Sequence, residues 1–486
     1  MIDESTWKVI SAAAVVGFAT LTGCSNGMNG DDAGTDVVSL DTAHTVDSAS
    51  DVAIDTAIDV SRDTQMDAPT DSPIDTPVAT DAPTDAPRGD AALGMCEVSA
   101  AVAAHTAQMA TMGWSAVNHD NGLLMYGCTA GSPATSCLAT APLADATNIG
   151  ANVSSLAAQH LRILYSSTNS SAYWTRISPD GRFIGRGTHV RDMVRSVDVE
   201  AGPVAMYDPA FFPDGSQFMY QPNGRTCPLS VLTTGTPTTI TFMEPGCSTT
   251  TVGLYEHLGV ALGGGDYWAT SAGAAAWDNG GHSPTLHDPP PNSPWRSGAQ
   301  TTLTLMANTG TTFTSVTSVN IPTPYQGDGV ISPSSTLFMT RVADVATGQL
   351  QVGYRLHRLT ATRVGSAVMA SLTPIANYCF VGAKPAFSLD ERWVAMHHYV
   401  TDDDAVDLGF TGPSDPAFAA YQTQGAANVY LVDLATGNRT RLTNMAPGQY
   451  ALYPAFRSDG WIYFNVRTLG SSVERIVASD AALVMP

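Results

Sequence analysis

The chain has 486 residues, 44% of them apolar and 14% charged, and its 44 acidic residues against 22 basic ones give a formal net charge of −22. That balance excludes the phosphate-neutralising surface on which nucleic-acid binding depends. Beyond residue 24 no apolar run is long enough to cross a bilayer as a helix.

Residues 1–24 read as an export signal. Lys8 precedes an apolar run from Val9 to Leu21, the length of a signal-peptide core and too short for a permanent span. The run ends in Leu21-Thr22-Gly23-Cys24, which resembles the bacterial lipobox. The resemblance implies a lipoprotein with Cys24 as the lipidated membrane anchor, and Ser25 in place of an Asp implies outer-membrane retention facing periplasm or medium. A coincidental cysteine after an ordinary signal is the competing reading, and Asp3 and Glu4 make the leader unusually acidic.

Residues 25–95 read as a disordered linker. They are rich in Asp, Thr, Ala, Ser and Pro and hold no aromatic side chain, so apolar burial cannot offset the entropy of ordering them. Aspartates recur every fourth residue from Asp47 to Asp75, and on a helix they would stack on one face while Pro69, Pro73 and Pro77 broke it. Between Asp31 and Asp90, 15 Asp face 2 Arg, so this stretch supplies −13 of the −22, and self-repulsion extends it into a tether. Nothing gathers these carboxylates into a Ca²⁺ shell.

Residues 96–486 suffice for one large all-β domain. The single predicted helix lies around Val98 to Met112, with lead-in coil as the alternative. Thereafter one phrase recurs, an apolar strand end, a Ser-Pro-Asp-Gly-like turn, and an apolar strand leaving it: at Ile177-Ser178-Pro179-Asp180-Gly181, Phe212-Pro213-Asp214-Gly215, Ile331-Ser332-Pro333-Ser334, Phe387-Ser388-Leu389-Asp390 and Arg457-Ser458-Asp459-Gly460. A type I turn takes Ser or Asp first, tolerates Pro second and favours Gly last, where φ is positive. A degenerate sixth copy reads Val260-Ala261, a turn to Asp266, then Tyr267-Trp268, with Trp268 in the core. Val429 to Val432 forms a further strand, Ala435 to Asn438 a turn, and Thr440 to Leu442 its return.

Together these residues resemble the β-propeller repeats of the TolB family, best over 427–466, less so over 173–220 and 331–397, and weakly over 96–170 and 221–330. The resemblance implies a β-propeller, a fold that serves docking proteins, peptidase appendages and a few lyases. Six copies predict six blades, with seven as the alternative if residues 114–170 add one. Ring closure is expected to pair the run from Val473 to Val477 with a strand from the first ordered residues.

Setting Cys24 aside, six cysteines remain in a chain addressed to an oxidising compartment. Cys128 with Cys137 and Cys227 with Cys247 would close short loops, which leaves Cys96 with Cys379. No pair has zinc-knuckle spacing.

No catalytic signature is present: neither a Gly-x-Ser-x-Gly elbow nor a phosphate-binding glycine loop. Candidate ligand-rim residues are His189, His397, His398, Asp402 and Asp403 near strand ends, and the Pro-rich stretch carrying Trp277, His282, His287 and Trp295. If strand-end loops converged, these groups could hold a divalent metal, although scattered imidazoles more often cap strands singly. The function expected is therefore non-catalytic binding of a protein or glycan at the envelope without a cofactor, with a metal-dependent polysaccharide lyase or hydrolase as the alternative.

Overall fold

The computed structural model describes residues 96–112, 124–144, 159–168, 175–186, 188–201, 210–220, 225–240, 244–249, 257–261, 266–272, 299–308, 313–344 and 349–486. Residues 1–95, with the expected export signal and acidic linker, lie outside them. The described chain opens with β1 (Glu97–Val98), α1 (Ala100–Met112) and β2 (Leu161–Ser167). Antiparallel sheets follow in sequence order, the last two joined by a single parallel pairing of Ala427 with Tyr450. Blade 1 holds β3 (Thr175–Ile177), β4 (Phe183–Arg186), β5 (His189–Asp192) and β6 (Val197–Glu200). Blade 2 holds β7 (Ala210–Phe211), β8 (Gln217–Tyr220), β9 (Arg225–Pro228) and β10 (Ser248–Thr249). In blade 3 are β11 (His257–Val260), β12 (Tyr267–Ala272), β13 (Gln300–Asn308) and β14 (Phe313–Pro322), and in blade 4 β15 (Gln326–Ile331), β16 (Leu337–Asp344), β17 (Gln349–Val364) and β18 (Ala367–Tyr378). Blade 5 consists of β19 (Ala383–Phe387), β20 (Trp393–Tyr399), β21 (Ala427–Asp433) and β22 (Arg439–Arg441), with the short helix α2 (Ala419–Gln424) between its second and third strands. Blade 6 has β23 (Gln449–Phe456), β24 (Ile462–Thr468) and β25 (Glu474–Ser479), followed by α3 (Ala481–Val484).

Blade 6 takes its fourth strand from the other end of the chain. β2 pairs antiparallel with β25, from Leu161 opposite Ser479 to Ser167 opposite Glu474. The first strands of the six blades, β3, β7, β11, β15, β19 and β23, neighbour one another in that order, and β23 lies beside β3 again. The architecture is a six-bladed β-propeller. The C-terminal run thus closes the ring as expected, but its partner is β2; β1 instead adds a fifth strand to blade 4, Glu97 opposite Asn377.

The core lies between blades. Alternate residues of a strand point to opposite faces, and each blade is covered on both, so β20 buries Trp393 and Ala395 toward blade 6 and Val394 and Met396 toward blade 4. Ile331, Phe338 and Trp268 fill the seam between blades 3 and 4, and Phe183 meets Phe218 between blades 1 and 2. Residues before β2 strap two further seams on the face where first strands turn into second strands. On α1, His105 Nε2 lies 2.8 Å from the buried Glu391 of blade 5, whose other oxygen accepts the Ser334 N–H of blade 4 at 2.6 Å. The segment around the Cys128–Cys137 disulfide covers the seam of blades 6 and 1, with Trp461 Nε1 donating to Ala134 O at 2.9 Å. The other disulfides join Cys227 to Cys247 and Cys96 to Cys379, the latter fastening the start of the strap to the end of β18.

Candidate functional site

All five described copies of the turn close with a backbone bond from the N–H of the fourth residue to the carbonyl of the first, and several copies add side-chain bonds. The Oγ atoms of Ser178, Ser332 and Ser388 accept the N–H of Phe183, Leu337 and Trp393 at 2.9, 3.0 and 2.9 Å. Asp180, Asp214 and Asp390 accept the backbone N–H two residues on at 3.1, 3.0 and 3.2 Å, so these carboxylates serve the turn. The fourth position is left-handed in five blades: Gly181 and Gly215 at φ 70°, Ser335 at 60°, Glu391 at 56° and Gly460 at 102°. Ser335 and Glu391 hold it without the freedom of glycine; Glu391 is fixed by its buried bonds to blade 4 and α1.

This geometry turns the second position of each phrase, and the strand end before it, toward the axis. Pro179, Pro213, Pro333, Leu389 and Ser458 come from five blades, with Ile177, Phe211, Ile331, Phe387 and Phe456 behind them, and they line an axial cavity of about 140 Å³. Among the described residues of the wall, Arg176 is the one ionisable side chain. The equivalent turn of blade 3, at 262–265, lies outside the described residues. Ser458 closes the ring here: its N–H and Oγ both donate to Pro179 O, at 2.9 and 2.7 Å.

The histidines singled out in the sequence sit elsewhere. His397 and His398 occupy opposite faces of β20, as strand alternation requires. His397 is 1% exposed, accepts the Tyr453 N–H at 3.3 Å, and stands edge-on to the rings of Tyr399 and Tyr453. His398 Nε2 lies 2.8 Å from Asp404 Oδ2, which also accepts the N–H and Oγ of Thr401 at 2.7 and 2.9 Å. Burial raises the Asp404 pKa, but the His398 and Thr401 contacts outweigh it and hold the carboxyl below its ordinary value. Asp402 and Asp403 are exposed, Asp402 accepting from Gln422 at 2.8 Å. His189 is exposed at the start of β5, against Thr188. Trp277, His282, His287 and Trp295 lie outside the described residues.

Blades 1 and 5 therefore keep His189 apart from His397 and His398. Among the described residues, two groupings of metal-ligating residue types, Cys128, Cys137, Asp459 and Cys227, Glu244, Cys247, contain disulfide sulfurs and so offer no thiolate. His357 is buried with Gln326 and Thr340, 2.7 Å from the former, and burial pushes its pKa down to about 3, so it is neutral. The residues that sequence reasoning passed over are Arg176 and the three phenylalanines. Their signal was the repeat itself, since a position that recurs at the inner end of every blade must face the axis.

No family model matches the chain, and no curated protein does. Among solved structures it is similar to oligogalacturonate lyase from Vibrio parahaemolyticus, at 10% identity over 68% of this chain and 96% of that one, with a TM-score of 0.34. It is also similar to the β-propeller domain of Cps50 (Swd1) from Myceliophthora thermophila, at 11% identity over 62% and 81% with a TM-score of 0.32. Acylaminoacyl peptidase from Pyrococcus horikoshii matches at 10% identity over 60% of this chain but 42% of the peptidase, with a TM-score of 0.32. Likenesses this distant carry no argument about activity; the propeller class rests on the chain's own sheets and their closed order.

Proposed function

We propose that the protein is a non-catalytic, TolB-like propeller, lipid-anchored through Cys24 at the bacterial outer membrane, that holds a protein or glycan partner at the hairpin-turn mouth of its axial channel. The observation that carries this reading is the mouth itself: five blades contribute equivalent positions to one concave apolar wall, while His397, His398 and the turn aspartates are engaged in holding the fold. Concave, largely preformed apolar sites with few polar groups are where proteins take ligands. The acidic linker suits the role, because an extended spacer lets an anchored disc sample a deep volume around its attachment. A metal-dependent lyase or hydrolase would need imidazoles and carboxylates to converge, and His189 lies in a different blade from His397 and His398. Affinity purification from crosslinked envelopes tests the proposal. Recovery of a discrete partner is expected; no protein or glycan above background would count against it.

A further inference from the structure

The hairpin of β17 and β18 outruns its blade. β16 accompanies β17 only as far as Leu337 opposite Arg358, whereas β17 and β18 stay paired from there to Val364 opposite Ala367. Strand alternation gives this extension two faces. On the inner one Leu359, Val368 and Leu372 pack with Leu303, Leu305 and Ile321 of blade 3, which holds the extension in place. On the outer one Val364 and Met369 are 55% and 66% exposed.

The outer edge of β18 is open along the same stretch. β1 covers only Ala376 and Asn377, the Ser99 N–H donates to Ile375 O at 3.1 Å, and the chain then turns into α1. From Ala367 to Pro374 no described residue pairs with that edge. An open edge is a template for further strands, and proteins guard such edges with charge or brevity. Outer strands of other blades are guarded in this way: β6 has Asp198 and Glu200, β22 has Arg439 and Arg441, β2 has Arg162, and β10 is two residues long. β14, uncharged as well, carries the hairpin on Val319 and Ile321. Between Val364 and Ala383 there is no charged residue. A second copy is the occupant that this neutrality fits. Under a two-fold axis an antiparallel edge meets itself, so a charged side chain would lie close to its own copy, a restriction that a different partner would not impose.

We infer that two copies of the chain associate by antiparallel pairing of their β18 edges about a two-fold axis through Met369. Met369 then meets its own copy, Val368 lies opposite Ala370, and Ala367 lies opposite Ser371. The pairing covers the exposed methionines and uses up this edge in both copies, so it stops at a dimer. It does not depend on the binding proposed for the axial mouth.

Sedimentation velocity tests it on the full chain carrying Cys24→Ala, in which the other six cysteines are paired and no thiol remains. A dimer is expected at micromolar concentration. Met369→Lys sets two ammonium groups together at the axis and should weaken association at least tenfold, with the melting temperature unchanged because the side chain is exposed. Met369→Cys should give a disulfide-linked dimer on mild oxidation, and Val406→Cys, equally exposed on blade 5, should give none. The cysteine variant decides the question if Met369→Lys proves unstable. A monomer at every concentration, a dimer that Met369→Lys leaves intact, or no crosslink at position 369 would overturn the pairing. In a monomer, slow hydrogen exchange of every amide from Val368 to Leu372 would assign the edge to residues 25–95 of the same chain, and fast exchange would leave it to a different protein, either result removing the second copy.

Discussion

Arg457 and Asp459 form a two-pronged ion pair inside a hairpin turn, Nε to Oδ1 at 2.7 Å and Nη2 to Oδ2 at 2.6 Å, at the place where blades 1, 4 and 5 carry a serine. The guanidinium side chain is fully buried. It also donates to Tyr126 O at 2.6 Å and to Tyr463 Oη at 3.2 Å, joining the strap, blade 6 and the seam with blade 1.

Asp459 is therefore not interchangeable with the other turn aspartates. Asp459→Ala strands a buried cation and should cost about 3–5 kcal/mol. Asp180→Ala removes a turn hydrogen bond and should cost about 1 kcal/mol. Denaturant melts of the two variants check this; equal losses would mean that Arg457 finds another counter-charge.

Gly181 and Gly215 share a φ of 70° but not their surroundings. Alanine at either costs about 1–2 kcal/mol of left-handed strain. A Cβ on Gly181 would also stand 2.5 Å from Arg457 Cδ and 2.8 Å from Tyr463 Oη, whereas one on Gly215 meets nothing within 4 Å. Thermal melting should show Gly181→Ala losing at least twice as much as Gly215→Ala.

Asp192 is fully buried between Arg182, at 3.1 and 2.9 Å, and Arg195, at 2.7 Å. Burial raises its pKa, yet the bonds from both arginines prevail and hold it below the ordinary carboxylate value. Stability from a carboxyl lowered in the folded state is full above its unfolded pKa and is lost as pH falls through the folded one. Asp192→Asn should be about 2 kcal/mol less stable at pH 7, and the gap from wild type should close as pH drops below about 4. Denaturation midpoints from pH 7 to 3 measure it; parallel curves would contradict the assignment.

The repeated turns were legible in the sequence because they are local: Pro, Asp and Gly each meet a backbone demand within four residues. The seams were not. Nothing in Leu161 to Ser167 announces that its partner is Glu474 to Ser479, because pairing across the whole chain is set by ring geometry. Read from sequence, Asp459 is one more turn carboxylate of ordinary cost. Arg457 is visible two residues away, but its burial depends on Tyr126 and the strap, which no local pattern encodes. The candidate site was hidden for a related reason. Histidines and tryptophans attract notice one by one, whereas the cavity is made of unremarkable Pro, Ile and Phe that matter only when five blades bring them to the axis.

Anchoring has its own test. If Cys24 carries the lipid anchor as proposed, Cys24→Ala should leave the protein exported but released from the membrane. Fractionation checks it; membrane association unchanged by the substitution would refute the lipoprotein proposal.

The most direct measurement of partner binding at the turn mouth is photo-crosslinking in intact envelopes with p-benzoylphenylalanine at Phe456, in the axial wall, against the same group at Val406, 66% exposed beyond the opposite ends of the strands. The account predicts a discrete adduct from position 456, lost in the Ala386→Leu background, which fills the cavity, and none from position 406. An adduct from 406 alone, or from both positions equally, would contradict it.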